Sequence, residues 1–149
     1  MNRVFRALGP AMPWPKPQEA LRAGLGAALG LVVAGVVLHR LSGGAVPMLI
    51  APFGATAFLI FAVPNSPLAQ PWSVVVGSVA SALVAVLAVH AVPAQLPAAA
   101  LAVGGAVLAM AGLRAMHPPA GAVALLVVLT ADPAALPGPG FALFPVAEG

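Results

Sequence analysis

The stretch Arg114-Ala115-Met116-His117-Pro118-Pro119-Ala120-Gly121-Ala122 places a cation, an imidazole and two consecutive prolines inside an otherwise apolar chain. At membrane depth such residues are costly, and they persist mainly where they line a cavity or face other protein. We therefore interpret this stretch as the candidate functional site.

The composition predicts an integral membrane protein. Only 6% of the 149 residues are charged and 62% are apolar, and the mean hydropathy is +1.08. A soluble fold would have too little polar surface to cover itself. The length suffices for four or five spans. The chain has no cysteine, which excludes disulfides, thiolate metal sites and thiol nucleophiles.

Acidic side chains and histidines are too scattered to predict an enzyme or a metal site. The acidic residues are Glu19, Asp132 and Glu148. They offer no carboxylate pair or triad for acid/base chemistry. We expect His39 and His90 at the outer ends of their spans and His117 on the other face, so the three should not converge on a metal. The sequence therefore predicts no catalytic activity, no cofactor and no metal.

The cations predict the orientation of the chain. Four of the six precede the first span, at Arg3, Arg6, Lys16 and Arg22. Such a basic flank is an orientation signal rather than a nucleic-acid patch, and it places the N-terminus in the cytoplasm, most simply of a bacterial inner membrane. A secretory signal peptide is the competing interpretation, but the apolar run is long and no clear A-x-A cleavage site follows it.

Hydropathy and prolines divide the chain into a basic arm (1–19), a transmembrane domain (20–132) and a short tail (133–149). Long spans are expected over about 20–41, 73–92 and 96–113. Prolines 47 and 52 predict an irregular arm from Gly44 to Ala51 and a helix starting near Phe53. A last helix, about 119–131, is too short for a hydrocarbon core of roughly 30 Å. The predicted fold class is an all-α polytopic membrane protein with four full or near-full spans and a short broken fifth helix.

One motif occurs twice. Pro52-Phe53-Gly54-Ala55-Thr56-Ala57 aligns with Pro119-Ala120-Gly121-Ala122-Val123-Ala124. Alternating passes would bring the two short helices in from opposite faces, as an inverted repeat of half-helices whose N-termini favour an anion. Gly54 and Gly121 should lie where the backbone closely approaches an ion or another helix. The predicted substrate-binding residues are Arg114, His117, Pro119, Gly121, Pro52, Gly54 and Thr56, with Asn65 and Gln70 in a vestibule.

Each of these assignments has a structural alternative. Arg114 could be only an interfacial anchor, and His117 could pack in its turn and cap it. Asn65 and Gln70 suit an ordinary loop, and a threonine in a membrane helix often bonds its own backbone. The GxxxG pattern at Gly26-Ala27-Ala28-Leu29-Gly30 favours either packing within the chain or a homo-oligomer contact.

The chain resembles the HPP family of small integral membrane proteins, named for the tripeptide found here as His117-Pro118-Pro119. The resemblance extends to Ala51-Pro52-Phe53-Gly54-Ala55, to residues 61–72 and to Leu113-Arg114-Ala115-Met116. It implies a four-span fold and, because some members are implicated in nitrite transport, a small-anion permease. Ser73 and Ser78 depart from the family pattern, which often has Asn at the first position and His or Asn at the second. Selectivity could therefore differ if those positions touch substrate.

Two functions follow from the sequence. The first is a transporter or channel for a small inorganic, nitrite-like anion, embedded in membrane lipid. The second is a structural or assembly subunit whose prolines and glycines serve helix packing.

Overall fold

The computed structural model describes residues 14–41 and 50–142, and this part of the chain is helical without any β-strand. The α-helices are α1 (Pro17–Leu41), α2 (Ile50–Ala62), α3 (Pro71–Ala91), α4 (Gln95–Gly112) and α5 (Pro118–Thr130). Short 3-10 helices occupy Pro67–Ala69 and Pro139–Ala142.

Three of these helices are long enough to cross a membrane, and two are not. α1, α3 and α4 have 25, 21 and 18 residues, or roughly 37, 31 and 27 Å at 1.5 Å per residue. α2 and α5 have 13 residues each, roughly 20 Å against a hydrocarbon core of roughly 30 Å. The expected all-α membrane architecture is therefore found with three full-length spans, and the expected four full or near-full spans are not confirmed.

Prolines set the helix starts. α3 and α5 both begin on proline, which is pre-organised for the first helical turn and lacks an N–H that would have no partner there. α2 begins at Ile50, three residues before the expected start near Phe53, so Ile50 and Ala51 are helical and the expectation that they belong to an irregular arm is wrong. Pro52 falls in the first turn, where helix geometry tolerates it. Residues 44–49 of the expected arm lie outside the described residues.

The core is formed by α3, α4 and α5, which pack against one another. Its buried residues are mostly alanines, joined by a few valines and Met110. Small side chains let helix backbones approach closely, which strengthens packing where lipid offers no hydrophobic driving force.

α1 packs against α2, and α2 in turn contacts α5. The ring of Phe61 on α2 covers Gly26 and Gly30 of α1, and a Cβ at Gly30 would lie 2.7 Å from the ring atom Cε2. The GxxxG face of α1 is thus occupied within the chain, which confirms the intramolecular interpretation of that motif. The apolar stretch Pro17–Val37 is otherwise unburied, as expected for a helix that faces lipid.

Candidate functional site

Two loops that are distant in sequence meet at one end of the helical core. The Trp72 indole N–H donates to the Leu113 carbonyl oxygen at 3.1 Å, and His117 Nδ1 lies 2.8 Å from the Leu68 carbonyl oxygen. These contacts join the segment between α2 and α3 to the segment between α4 and α5. Asn65 and Gln70, the predicted vestibule residues, are exposed on the first loop, and Arg114 is exposed on the second.

His117 is fully buried between three elements, and its hydrogen bonds define its tautomer. A carbonyl oxygen can only accept, so Nδ1 carries the hydrogen that bonds Leu68. Nε2 of the neutral ring then accepts from the Thr56 hydroxyl, 3.0 Å away. Although His117 is the N-cap residue of α5, its side chain makes no capping hydrogen bond. The interpretation of His117 as a cap for its own turn is therefore wrong.

Thr56 links the two short helices. Its hydroxyl bonds the imidazole of His117, so the alternative in which it bonds only its own backbone is wrong. Thr56 is six residues after Ile50, or roughly 9 Å along α2. The N-terminal end of α5 therefore meets the middle of α2 rather than its N-terminus, and the expected meeting of two helix N-termini is not confirmed by this contact.

Gly77 on α3 makes room for this arrangement. A Cβ at this position would lie 2.6 Å from the Ala115 carbonyl oxygen and 3.1 Å from His117 Cβ. Only glycine lets α3 approach the turn before α5 so closely. The small-xxx-small spacing of Gly77 and Ser81 marks the position as a packing surface, but nothing in the sequence indicates that the surface faces His117.

Arg114 occupies a strained backbone position. Its φ is 54°, in the left-handed region that costs an L-residue about 1–2 kcal/mol. Its N–H donates to the Ala111 carbonyl at 3.1 Å and the next N–H donates to the Met110 carbonyl at 2.8 Å. This pair of bonds is a Schellman motif, in which the Arg114 position is usually glycine. Strained non-glycine residues cluster at functional sites, so the placement favours a role for the side chain.

The guanidinium of Arg114 makes no hydrogen bond or ion pair with residues 14–41 and 50–142, where the single ion pair joins Lys16 to Glu19. Arg114 directly follows Leu113, whose carbonyl bonds Trp72, so its turn lies near the loop that precedes Trp72. The exposed amides of Asn65 and Gln70 on that loop are further hydrogen-bond donors.

The N-terminus of α5 offers fewer donors to an anion than its position suggests. Pro118 and Pro119 have no N–H, and the Ala120 N–H donates to the His117 carbonyl at 2.9 Å. Pro119 is buried, as is Pro52 on α2. A Cβ at Gly54 or Gly121 meets no other described atom within 4 Å. The close approach predicted for these two glycines is thus not found in the part of the chain that the structure describes.

Ser73 and Ser66 stabilise the first loop. The buried Ser73 hydroxyl donates to the Pro67 carbonyl at 3.0 Å, and Ser66 Oγ accepts from the Leu68 N–H at 3.2 Å. Both bonds fix the 3-10 turn that presents the Leu68 carbonyl to His117. Ser73 therefore acts on the loop geometry in this structure rather than on an open surface.

A separate pocket of about 450 Å³ lies at the opposite end of the core. His90 and Gln95 line it together with apolar side chains such as Leu136. His90 Nδ1 bonds the Val86 carbonyl of its own helix at 2.8 Å. His90 and His117 are thus at opposite ends of the core.

Long apolar helices, two short helices with proline in the first turn and a buried polar link define a polytopic helical membrane protein. The chain belongs to the HPP transmembrane family: the pattern described as "HPP, transmembrane region" matches residues 12–149.

Two transmembrane proteins of Dictyostelium discoideum are similar to it. One is 41% identical over 88 residues, which are 56% of this chain and 28% of that protein. The other is 36% identical over 122 residues, which are 78% of this chain and 43% of that protein. The chain thus matches less than half the length of either relative. No solved structure matches it.

Proposed function

We propose that this protein is a transporter or channel for a small inorganic anion of the nitrite type. The observation that carries the proposal is Arg114, an exposed cation held on a strained turn beside the buried link between Thr56 and His117. The guanidinium is planar and has five donors, which suits a planar oxyanion.

The electrostatics around Arg114 support an anion over a cation. The two loops that form this end of the core, residues 63–70 and 113–117, contain no acidic residue. Asp132 lies beyond the far end of α5, and Glu19 is paired with Lys16.

In the proposed arrangement the N-terminus and the Arg114 end of the core face the cytoplasm of a bacterial inner membrane. The Asn65 and Gln70 loop forms the vestibule on that side. α2 and α5 are the two halves of an inverted repeat, since α2 leads into this end of the core and α5 leads away from it. A ligand on Arg114 would lie where these two half-helices are joined.

The second candidate is a structural or assembly subunit. The observation that favours it is that both ring nitrogens of His117 are already bonded within the chain. An imidazole with both nitrogens bonded can hold α2, the first loop and the start of α5 together. Under this reading Arg114 only marks the membrane surface.

A flux assay in proteoliposomes distinguishes the two candidates. We would compare nitrite, nitrate, formate and chloride for the wild type, Arg114→Lys, His117→Ala and the matched control Arg22→Lys. We expect reduced anion flux in both site variants with near-normal insertion. Lysine does not replace the planar, multi-donor contact of Arg114, and His117→Ala removes the imidazole that bonds Thr56 and Leu68. Arg22→Lys should match the wild type. Wild-type flux in both site variants, or no flux of any anion, would favour the structural subunit.

A further inference from the structure

We propose that anion movement is coupled to protonation of His117, which makes the protein an anion–proton symporter. This inference rests on the proposed function and adds the coupling ion. It starts from three features of the structure: a buried imidazole, a hydroxyl partner that can reverse its hydrogen bond, and described neighbouring elements that carry no carboxylate.

The Thr56 hydroxyl suits both charge states of the imidazole. In the neutral state it donates to Nε2, as the observed geometry requires. In the protonated state Nε2 carries a hydrogen and donates, and the hydroxyl accepts after a rotation about its C–O bond. The bond from Nδ1 to the Leu68 carbonyl stays the same in both states. Protonation therefore needs no rearrangement of the backbone.

Thr56 also provides the route for the proton. The ring of His117 is fully buried, whereas Thr56 is half-buried. A hydronium ion gives its proton to the Thr56 oxygen while the hydroxyl hydrogen passes to Nε2, and a water molecule is left. The hydroxyl is restored, the imidazole becomes imidazolium, and one proton has entered the site. Release on the other side of the cycle reverses these steps.

The charges facing His117 determine when it can hold that proton. The elements packed around it are α2, α3, α5 and the two loops, and their sequences contain no acidic residue. Their titratable groups are Arg114, three residues away, and His90 at the other end of α3. α1, which packs on α2, carries Glu19, which pairs with Lys16 just before the helix, and also Arg22, His39 and Arg40.

A buried imidazolium three residues from Arg114 has no acidic counter-ion on the described elements packed around it, and burying an unpaired charge is costly. An anion bound at Arg114 supplies the missing negative charge. The anion therefore favours the proton, and by linkage the proton favours the anion to the same degree. The stable states of the site are then the one with neither ligand and the one with both the anion and the proton. A carrier that moves mainly in these two states transports the anion and the proton together, as a symporter does.

Proteoliposomes with a pH gradient test this coupling. With the membrane potential clamped at zero, a gradient of about one pH unit should drive about tenfold accumulation of an anion that moves with one proton, because both gradients then have equal free energy. Nitrate and chloride are the preferred probes. For nitrite and formate, which also cross as neutral acids, accumulation in protein-free liposomes is subtracted.

The variants are His117→Asn, which keeps a donor for the Leu68 carbonyl, and Thr56→Val, which removes the hydroxyl with little change in volume. His90→Asn is the matched control, since His90 makes the same kind of Nδ1 bond to a carbonyl at the opposite end. We expect accumulation for the wild type and His90→Asn. Both site variants should lose accumulation, and their downhill flux should be slower than that of the wild type but still measurable. Thr56→Val tests the coupling alone if His117→Asn does not fold.

Three other results would each overturn a specific part of the argument. Downhill flux of the wild type without accumulation would overturn the coupling and leave the transport function standing. Accumulation that persists in Thr56→Val and His117→Asn would overturn the role of His117. Absence of downhill flux for all four anions would overturn the proposed function itself.

Discussion

Replacement of Arg114 by glycine separates the backbone of this position from its charge. The left-handed conformation at φ 54° costs an L-residue about 1–2 kcal/mol, and glycine relieves that cost. Glycine also gains freedom in the unfolded chain, which opposes the benefit by about 0.4–1 kcal/mol. Because the arginine side chain is exposed, little packing is lost. We expect Arg114→Gly to be more stable by about 0.5–1 kcal/mol.

The same variant should lose anion binding. A hydrogen bond to a charged group contributes about 1.5–3 kcal/mol, and 1.4 kcal/mol is a factor of ten in affinity. We therefore expect the apparent KM for the transported anion to rise by about 10- to 150-fold. Thermal unfolding in detergent measures the stability, where 1 kcal/mol is a shift of about 2–4 °C. Flux in liposomes with matched protein content measures the binding.

Arg114→Lys and Arg114→Asn complete this test. Lysine keeps the charge and the backbone strain, so its stability should equal that of the wild type while its flux falls. Asparagine tolerates the left-handed region without the charge, and should resemble the glycine variant in flux. A destabilised Arg114→Gly would refute the strain argument. An unchanged KM in Arg114→Gly would refute the anion contact and return this residue to the role of an interfacial anchor.

Three further predictions concern glycines. Gly77→Ala should destabilise the fold by about 1–3 kcal/mol, since the new methyl group would lie 2.6 Å from a carbonyl oxygen of the turn before α5; an unchanged unfolding temperature would contradict this. Gly30→Leu should weaken the packing of α1 on α2, whereas the matched change Gly24→Leu enters open space and should be neutral in the same unfolding assay. Gly54→Val and Gly121→Val should insert and fold normally but show reduced flux, and wild-type flux in both would mean that neither glycine lines the path.

The long helices could be predicted from the sequence because lipid imposes a minimum apolar length. The starts expected for α1, α3, α4 and α5, at 20, 73, 96 and 119, fall within three residues of those observed at 17, 71, 95 and 118. The start of α2, expected near 53, also lies three residues from the observed Ile50, but the irregular arm expected up to Ala51 does not include Ile50 and Ala51. A proline in the first turn costs no hydrogen bond, so α2 extends past it to Ile50.

The sequence indicates which polar residues belong to the candidate site, but not which groups they form hydrogen bonds with. Arg114 and His117 stand out because polar groups are rare in an apolar chain. Thr56 was also predicted, although not its bond to His117. The other contacts are not marked in the sequence, because the second partner of His117 and the partner of Trp72 are backbone carbonyls 49 and 41 residues away. Every residue has a carbonyl, so no residue type marks these partners in the sequence. The role of Gly77 depends on the same tertiary contact.

The alanine-rich packing of α3, α4 and α5 restricts where an ion could cross. Side chains such as Ala85, Ala102, Ala106 and Ala124 are completely covered, so among the described residues the middle of the core is closely packed and leaves these side chains no contact with a water-filled path. We expect an ion that crosses within one copy of the chain to pass along the interface between α2 and the core of α3, α4 and α5. On one side of this path lies the short helix α2, which packs on the lipid-facing α1. We expect α2 to be the side that can shift without disrupting the packing of α3, α4 and α5. Mutations that change selectivity should therefore be sought first on the face of α2 that carries Thr56.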